Sequence, residues 1–287
     1  MGLSRRGFLQ KTAGGLAAAA VSGVARQPEG EAAVRVGMCD WNLRNTGKVE
    51  AIQVAKQTGL DGVEASVEPQ RGDRGLRDPE RRAAYREAAT AAGIGIPSVA
   101  LGVLNGVPLK SEPKAALWLA DSIEVAHELG AKCILIAFFG RGALRMEDQE
   151  DITRVVDVLK ELAPRAQEAD VILGLENTLS AEDNLKIMEA CGEPSHVQVY
   201  YDFKNSAGPG RDVVAEVKML GGRICQVHLK NGPNLLSDIT NVEWPACAQA
   251  LKDINYRGWY ILETSAPSGD LVKDTQANVA YVKETFG

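Results

Sequence analysis

Four residues that could do acid–base or metal chemistry stand at or near the ends of apolar runs in the second half of the chain. Glu176 ends VILGLE, Asp202 ends VQVYYD, His228 lies near the end of CQVHLK, and Glu263 lies near the end of GWYILET. The intervals between them are 26, 26 and 35 residues. Carboxylates and an imidazole can move protons, and together they form a ligand set that suits Mn²⁺, Mg²⁺ or Co²⁺ better than a metal that prefers thiolates. Either chemistry requires a fold that brings these side chains to one place.

The elements that would position these residues form a repeating pattern. Short apolar runs predict strands at 34–42, 62–66, 95–101, 133–139, 171–177, 197–203, 225–230 and 258–264. Between them, helical periodicity predicts helices at 47–58, 79–92, 112–129, 149–169, 181–190, 211–219, 243–253 and 271–285, with Ser180 to Asp183 forming a capping box. Eight strands, each followed by a helix, indicate a single (β/α)8 TIM barrel of the α/β class.

A doubly wound open sheet is the competing architecture for alternating strands and helices. Such a sheet usually has fewer strands, and a glycine-rich phosphate loop after its first strand would favour it. The corresponding segment here, GMCDWNLRNTG at 37–47, has no such pattern. We therefore expect the closed barrel.

In a barrel, the four polar residues recur about once per repeat and at one height, the carboxyl end of consecutive strands, where barrel enzymes hold their chemistry. Side chains alternate along a strand, so an inward Glu176 places Leu173 and Leu175 against the helices. Three carboxylates that converge cannot all remain ionised without a counterion, and a divalent cation supplies one. Each residue alone would be read as a helix cap, a loop ion pair or a buried histidine, but four in register favour a shared metal site.

The segments GLEN, YYDFKN, VHLKN and ILET resemble the metal-ligand strands of the xylose-isomerase-like barrel family of sugar isomerases and epimerases. The resemblance runs from about residue 34 to the C-terminus. It implies that Glu176, Asp202, His228 and Glu263 hold one divalent metal, Mn²⁺ first, with Mg²⁺ or Co²⁺ as alternatives. It also implies that Glu176 and Glu263 are the catalytic acid–base pair. The expected reaction is proton abstraction next to the carbonyl of a small carbohydrate, through a metal-stabilised enediolate.

Four further residues are predicted to contact the substrate. Glu64 has a similar place in the family, and Lys204 and Lys230 share the inward parity of Asp202 and His228. Asn205 stands where the epimerases often have a histidine, and no arginine follows His228 at the usual distance. The alternative readings are solvated lysines and a loop ion pair for Glu64. The departures leave the identity of the substrate open.

Three other functions compete with an isomerase or epimerase. The same metal and carboxylates would serve a lyase or dehydratase that acts on a 3-keto-glycoside or an inosose. A sugar-binding barrel with a structural metal would need no turnover. A DNA-repair nuclease built on this barrel needs a histidine-rich zinc site, whereas this chain has 3 histidines, a net charge of −6 and a pI of about 5.3. Nucleic acid is therefore not expected as a partner.

The N-terminus indicates export. Ser4-Arg-Arg-Gly-Phe-Leu9, followed by an uncharged stretch at 12–25, resembles a twin-arginine signal. We expect 1–31 to be signal peptide and linker, 32–287 to be the barrel, and the mature protein to be periplasmic or exported without a stable membrane anchor. The 5 cysteines do not indicate a disulfide framework. The sequence is compatible with a homo-oligomer.

Overall fold

The computed structural model describes residues 33–67 and 74–287, and Ala33–Gly287 form one compact unit. Its strands pair in parallel in chain order and close between the last and the first. They are β1 (Val36–Cys39), β2 (Gly62–Ser66), β3 (Ser98–Leu101), β4 (Cys133–Ala137), β5 (Ile172–Glu176), β6 (Val197–Asp202), β7 (Ile224–Leu229) and β8 (Tyr260–Leu262). The predicted single (β/α)8 barrel is confirmed.

Helices surround the barrel and lie close to their predicted spans. They are α1 (Glu50–Thr58), α2 (Pro79–Ala92), α3 (Pro113–Leu129), α4 (Gln149–Glu168), α5 (Ala181–Ala190), α6 (Phe203–Ala207), α7 (Val213–Leu220), α8 (Trp244–Asp253) and α9 (Leu271–Phe286). Short 3₁₀ turns lie at Gly75–Arg77, Gly102–Asn105, Gly140–Gly142 and Gly221–Arg223. The predicted cap of α5 is present, since Ser180 Oγ accepts a hydrogen bond of 3.1 Å from the Asp183 N–H. The sequence reading missed α6, because 5 residues are too few to show a helical period.

Apolar side chains form two cores, one on each face of the strands. Leu173 and Leu175 of β5 belong to the large core between barrel and helices, as predicted. The barrel interior holds a small cluster of Cys39, Ala100, Cys133, Leu135, Ala137, Tyr200 and Ile261. Gly174 faces that interior, where an added Cβ would lie 2.9 Å from Cys133 Sγ and 3.0 Å from Cys225 Sγ. The five cysteines are free thiols, in agreement with the expected lack of a disulfide framework.

The predicted export signal at 1–31 lies outside the described residues. Across 33–67 and 74–287, the helices are too short or too polar to cross a bilayer.

Candidate metal centre

The four residues singled out by their spacing meet at the carboxyl end of the barrel. Glu176 and Asp202 are the last residues of β5 and β6, His228 lies one residue before the end of β7, and Glu263 directly follows β8. Strand register pairs Asp202 with His228. Each residue offers one ligand atom, and those four atoms lie within 4.8 Å of one another. The expected convergence is therefore present in the structure.

One imidazole nitrogen faces all three carboxylates. His228 Nδ1 lies 2.9 Å from Glu176 Oε1, 3.7 Å from Glu263 Oε2 and 3.9 Å from Asp202 Oδ2. Glu176, Asp202 and His228 are buried, whereas the Glu263 side chain is 24% exposed. The cluster is therefore open to solvent on the Glu263 side, and a small molecule would approach it from there.

Glu176 and Glu263 have different surroundings, which shift their pKa values in opposite directions. Burial raises the pKa of Glu176 to about 7, and the nearby carboxylates of Glu263 and Asp202 add to this effect against the opposing effect of His228. Burial also acts to raise the pKa of Glu263, but His228 and Lys230 outweigh it and hold this pKa below its ordinary value. Two carboxyl groups whose pKa values are pushed apart can serve as a proton donor and a proton acceptor.

The cluster attracts positive charge. Lys230 Nζ lies 2.9 Å from Asp202 Oδ2 and 2.7 Å from Glu263 Oε2. Burial opposes the imidazolium, yet Cys39, Glu176 and Glu64 raise the pKa of His228 above its ordinary value. Three carboxylates and one imidazole nitrogen are oxygen and nitrogen donors of the kind that Mn²⁺, Mg²⁺ and Co²⁺ accept. The residues present therefore fit a divalent cation.

Lys230 and Lys204 were both predicted to contact substrate, and the structure places them differently. Lys230 lies among the candidate ligands, next to the open side. Lys204 Nζ instead donates to Thr240 Oγ1 at 3.0 Å and to Asn241 Oδ1 at 2.5 Å. Lys204 therefore holds the loop between β7 and α8, and its hydrogen bonds do not reach the four candidate ligands.

Asn205 lies in α6, next to the candidate ligands. Its backbone N–H donates to Asp202 Oδ1 at 2.8 Å, so Asp202 caps this short helix. The Asn205 side-chain nitrogen is buried and has no hydrogen-bond partner in the described part of the chain. A substrate contact by this amide remains a prediction.

Glu64 lies behind the cluster, not at its open side. Its side chain is fully buried in β2, and Glu64 Oε1 lies 3.0 Å from His228 Nε2, the nitrogen that faces away from the other carboxylates. The expectation that Glu64 lies where a substrate binds does not agree with this position, because His228 stands between it and the three carboxylates. The error arose because Glu64 sits in the middle of its strand, whereas the candidate ligands sit at strand ends.

Sequence reasoning missed a set of polar residues that surrounds Glu64. Cys39, Ser98, Tyr200 and Gln226 point into the barrel and hydrogen-bond to Glu64 or to one another. The inward parity of Tyr200 and Gln226 was visible in the sequence, but parity alone does not reveal which side chains touch across the barrel.

An aromatic side chain lies beside the candidate ligands. Trp41 follows β1, and its ring centroid lies 6.4 Å from that of His228. Its side chain also acts to lower the pKa of Glu263. Trp41 and Phe139 both pack against the interior cluster, whereas Phe138 is buried in the outer core. Trp41 therefore gives the Glu263 side of the cluster an apolar neighbour.

Comparison with known proteins agrees with this architecture. Residues 52–285 match the family described as xylose isomerase-like TIM barrel. A 2-epi-5-epi-valiolone 7-phosphate 2-epimerase of Actinoplanes sp. is 29% identical over 204 residues, which cover 69% of this chain and 73% of that protein. A D-psicose 3-epimerase of Enterocloster bolteae is 28% identical over 136 residues, 44% of each chain. The crystal structure of a D-psicose 3-epimerase in the presence of D-fructose superposes with a TM-score of 0.74 at 14% identity, covering 88% of this chain and 100% of that one.

Proposed function

Because the chain belongs to the xylose isomerase-like TIM barrel family and is an enzyme of the isomerase or epimerase type, we propose that it is a divalent-metal-dependent epimerase or isomerase of a sugar or keto-sugar. One observation carries this proposal above the others. Ligand atoms of Glu176, Asp202, His228 and Glu263 lie within 4.8 Å of one another at the end of the barrel where such enzymes work.

The proposed chemistry is transfer of a proton at a carbon next to a carbonyl. A bound divalent cation would stabilise the negative charge of the enediolate that forms when this proton leaves. One of Glu176 and Glu263 removes the proton and the other returns one, and the face of the substrate decides which acts first. The unequal pKa values of these two carboxyl groups support such a division of labour. Trp41 lies beside His228 and gives the site one apolar neighbour.

The proposed cation is Mn²⁺, with Mg²⁺ or Co²⁺ as alternatives. All three accept oxygen and nitrogen ligands of the kinds that this cluster offers. Asp202 and His228 would be ligands only, because the proton transfers are assigned to Glu176 and Glu263.

The proposed substrate is a small carbohydrate, and the proposed location is the periplasm or another exported compartment. The two relatives described above are named as epimerases, one of 2-epi-5-epi-valiolone 7-phosphate and one of D-psicose. The twin-arginine pattern at Arg5 and Arg6 favours export, where a free sugar or a glycoside is a more suitable substrate than a phosphorylated intermediate.

The test is a reaction of the Mn²⁺-loaded protein with a panel of ketoses and 3-keto-glycosides in D₂O, followed by NMR. Deuterium at one carbon with no broken bond is the expected result. Release of water or of an aglycone would instead identify a lyase or dehydratase that uses the same residues. If the panel shows neither deuterium incorporation nor product, the proposal fails.

Single Glu176→Gln and Glu263→Gln variants identify the acid–base pair. Each removes a group that takes or gives a proton, so we expect the rate to fall by roughly 10²–10⁴. Glu182→Gln is the matched control, because Glu182 lies on the exposed face of α5 in an ion pair with Lys186. Turnover that survives in both site variants would contradict the assigned roles.

A further inference from the structure

A buried polar network lies inside the barrel on the closed side of His228. Its members are Glu64 on β2, Ser98 on β3, Tyr200 on β6 and Gln226 on β7, and each is at most 2% exposed. Polar groups buried in this way must satisfy one another, since water does not reach them. The direction of each hydrogen bond can therefore be followed through the network.

The hydrogen bonds run from Gln226 towards Glu64. Gln226 Nε2 lies 2.7 Å from Ser98 Oγ and 2.8 Å from the Tyr200 hydroxyl, so this amide uses both of its hydrogens on those two oxygens. Ser98 Oγ and the Tyr200 hydroxyl lie 2.6 Å and 2.7 Å from Glu64 Oε2. Each hydroxyl has one hydrogen, and it must point to Glu64. Glu64 Oε2 therefore accepts two hydrogen bonds and donates none.

The other oxygen of Glu64 faces a thiol and the imidazole ring. Glu64 Oε1 lies 3.4 Å from the thiol Sγ of Cys39 and 3.0 Å from His228 Nε2. A carboxylate that accepts throughout requires a hydrogen on His228 Nε2. Metal binding requires a neutral imidazole, which carries only one ring hydrogen, so a hydrogen on Nε2 leaves His228 Nδ1 with its lone pair. Nδ1 is the nitrogen that lies 2.9 Å from Glu176 Oε1 and faces the proposed cation site.

We infer that Glu64 is a positioning residue that orients His228 and fixes its hydrogen on Nε2, so that Nδ1 is the metal ligand. Ser98, Tyr200 and Gln226 act on His228 indirectly, because they orient the Glu64 carboxylate. A carboxylate behind a metal-binding histidine fixes the ring and makes it a better ligand. The inference rests on the proposed metal site and adds the reason why one ring nitrogen is presented to it.

The direct test reads the imidazole of the wild-type protein. NMR of ¹⁵N-histidine-labelled protein loaded with diamagnetic Mg²⁺ distinguishes a ring nitrogen that carries a hydrogen from one that does not. Of the three histidines, His228 is fully buried, whereas His127 is exposed and His196 partly so, and slow hydrogen exchange identifies its signals. We expect a hydrogen on Nε2 and none on Nδ1. A hydrogen on Nδ1 in the metal-loaded protein would overturn the inference.

A matched pair of variants tests the consequence. Glu64→Gln replaces one accepting carboxylate oxygen with an amide nitrogen that can only donate. We expect the dissociation constant for Mn²⁺ to rise roughly 10–100-fold. Glu216→Gln is the control, because Glu216 is also a buried glutamate that accepts from a tyrosine, Tyr201, at 3.0 Å, but it lies in α7 outside the barrel. Its Mn²⁺ affinity should stay within about threefold of the wild type.

The outcomes separate this inference from the proposed function. If the wild type binds no divalent cation, the proposed function fails. If the wild type binds Mn²⁺ and Glu64→Gln binds it equally well, or Glu216→Gln weakens binding as much, only the role of Glu64 is refuted. Should Glu64→Gln not fold, the ring signals of wild-type His228 decide the question without a variant.

Discussion

Replacement of Lys230 by methionine would remove the positive charge next to the candidate ligands and keep a side chain of similar length. Lys230 Nζ lies 2.9 Å from Asp202 Oδ2 and 2.7 Å from Glu263 Oε2, and its side chain is 23% exposed. Methionine has a similar length but no charge, so these two carboxylates would lose their ion-pair partner beside a third, Glu176. We expect the metal-free protein to unfold more easily, because removing one partner of a buried ion pair strands the other.

Stranding a buried charge costs about 3–5 kcal/mol, and we take the lower end because Lys230 and Glu263 are partly exposed. For a protein of this size, about 3 kcal/mol corresponds to a fall of roughly 6–12 °C in Tm. The assay is thermal unfolding of wild type and Lys230→Met in excess EDTA and again in excess Mn²⁺. In Mn²⁺ the fall in Tm should be less than about half of that in EDTA, because the cation neutralises the same carboxylates.

Lys204→Met is the matched control for that experiment. Lys204 has the same side chain, but it donates to Thr240 and Asn241, which are uncharged. Its effect on Tm should therefore be the same in EDTA and in Mn²⁺. If Lys230→Met also lowered Tm equally in both conditions, the carboxylates near Lys230 would not bind a common cation, and the reasoning would be refuted.

Two further variants test how the barrel is held together. Asp40→Ala should lower the free energy of unfolding in urea by about 3 kcal/mol, because the buried N–H of Ser66 and the partly buried N–H of Gly47 lose the carboxylate that accepts from both at 2.8 Å. Asp40→Asn should recover most of that loss, and an equal loss in both variants would contradict the hydrogen-bond argument. Gly174→Ala should cost about 2 kcal/mol, because its Cβ would lie 2.9 Å from Cys133 Sγ and 3.0 Å from Cys225 Sγ. If Gly174→Ala has the same free energy of unfolding as the wild type, the neighbouring side chains shift to accept the Cβ and the packing argument is wrong.

Residues whose position follows from strand periodicity were predictable from the sequence. Leu173 and Leu175 pack outward and Glu176 points inward, as alternation along β5 requires. Asp202 and His228 could be placed together because each recurs once per βα repeat at a strand end, and strand register pairs them.

Other features depended on distances across the barrel and could not be read from the chain. Glu64 shares the interior with His228, but only the offset between β2 and β7 sets its height, and that offset places it behind the imidazole. The inward parity expected for Lys204 does not hold, because α6 begins at Phe203; its side chain reaches a loop, whereas that of Lys230 reaches the carboxylates. Parity fixes the face from which a side chain leaves, and it does not fix where a flexible side chain ends.

The most direct test of the account is the amount of divalent cation that the protein binds. Elemental analysis of the isolated protein and Mn²⁺ titration of the metal-free protein should give one ion per chain. Asp202→Asn should weaken binding by more than the roughly 10–100-fold expected for loss of a hydrogen-bonding partner of a ligand, since it removes a charged ligand itself. A wild-type protein that binds no ion, or an Asp202→Asn variant that binds Mn²⁺ as tightly as wild type, would contradict the central claim that Glu176, Asp202, His228 and Glu263 share one metal.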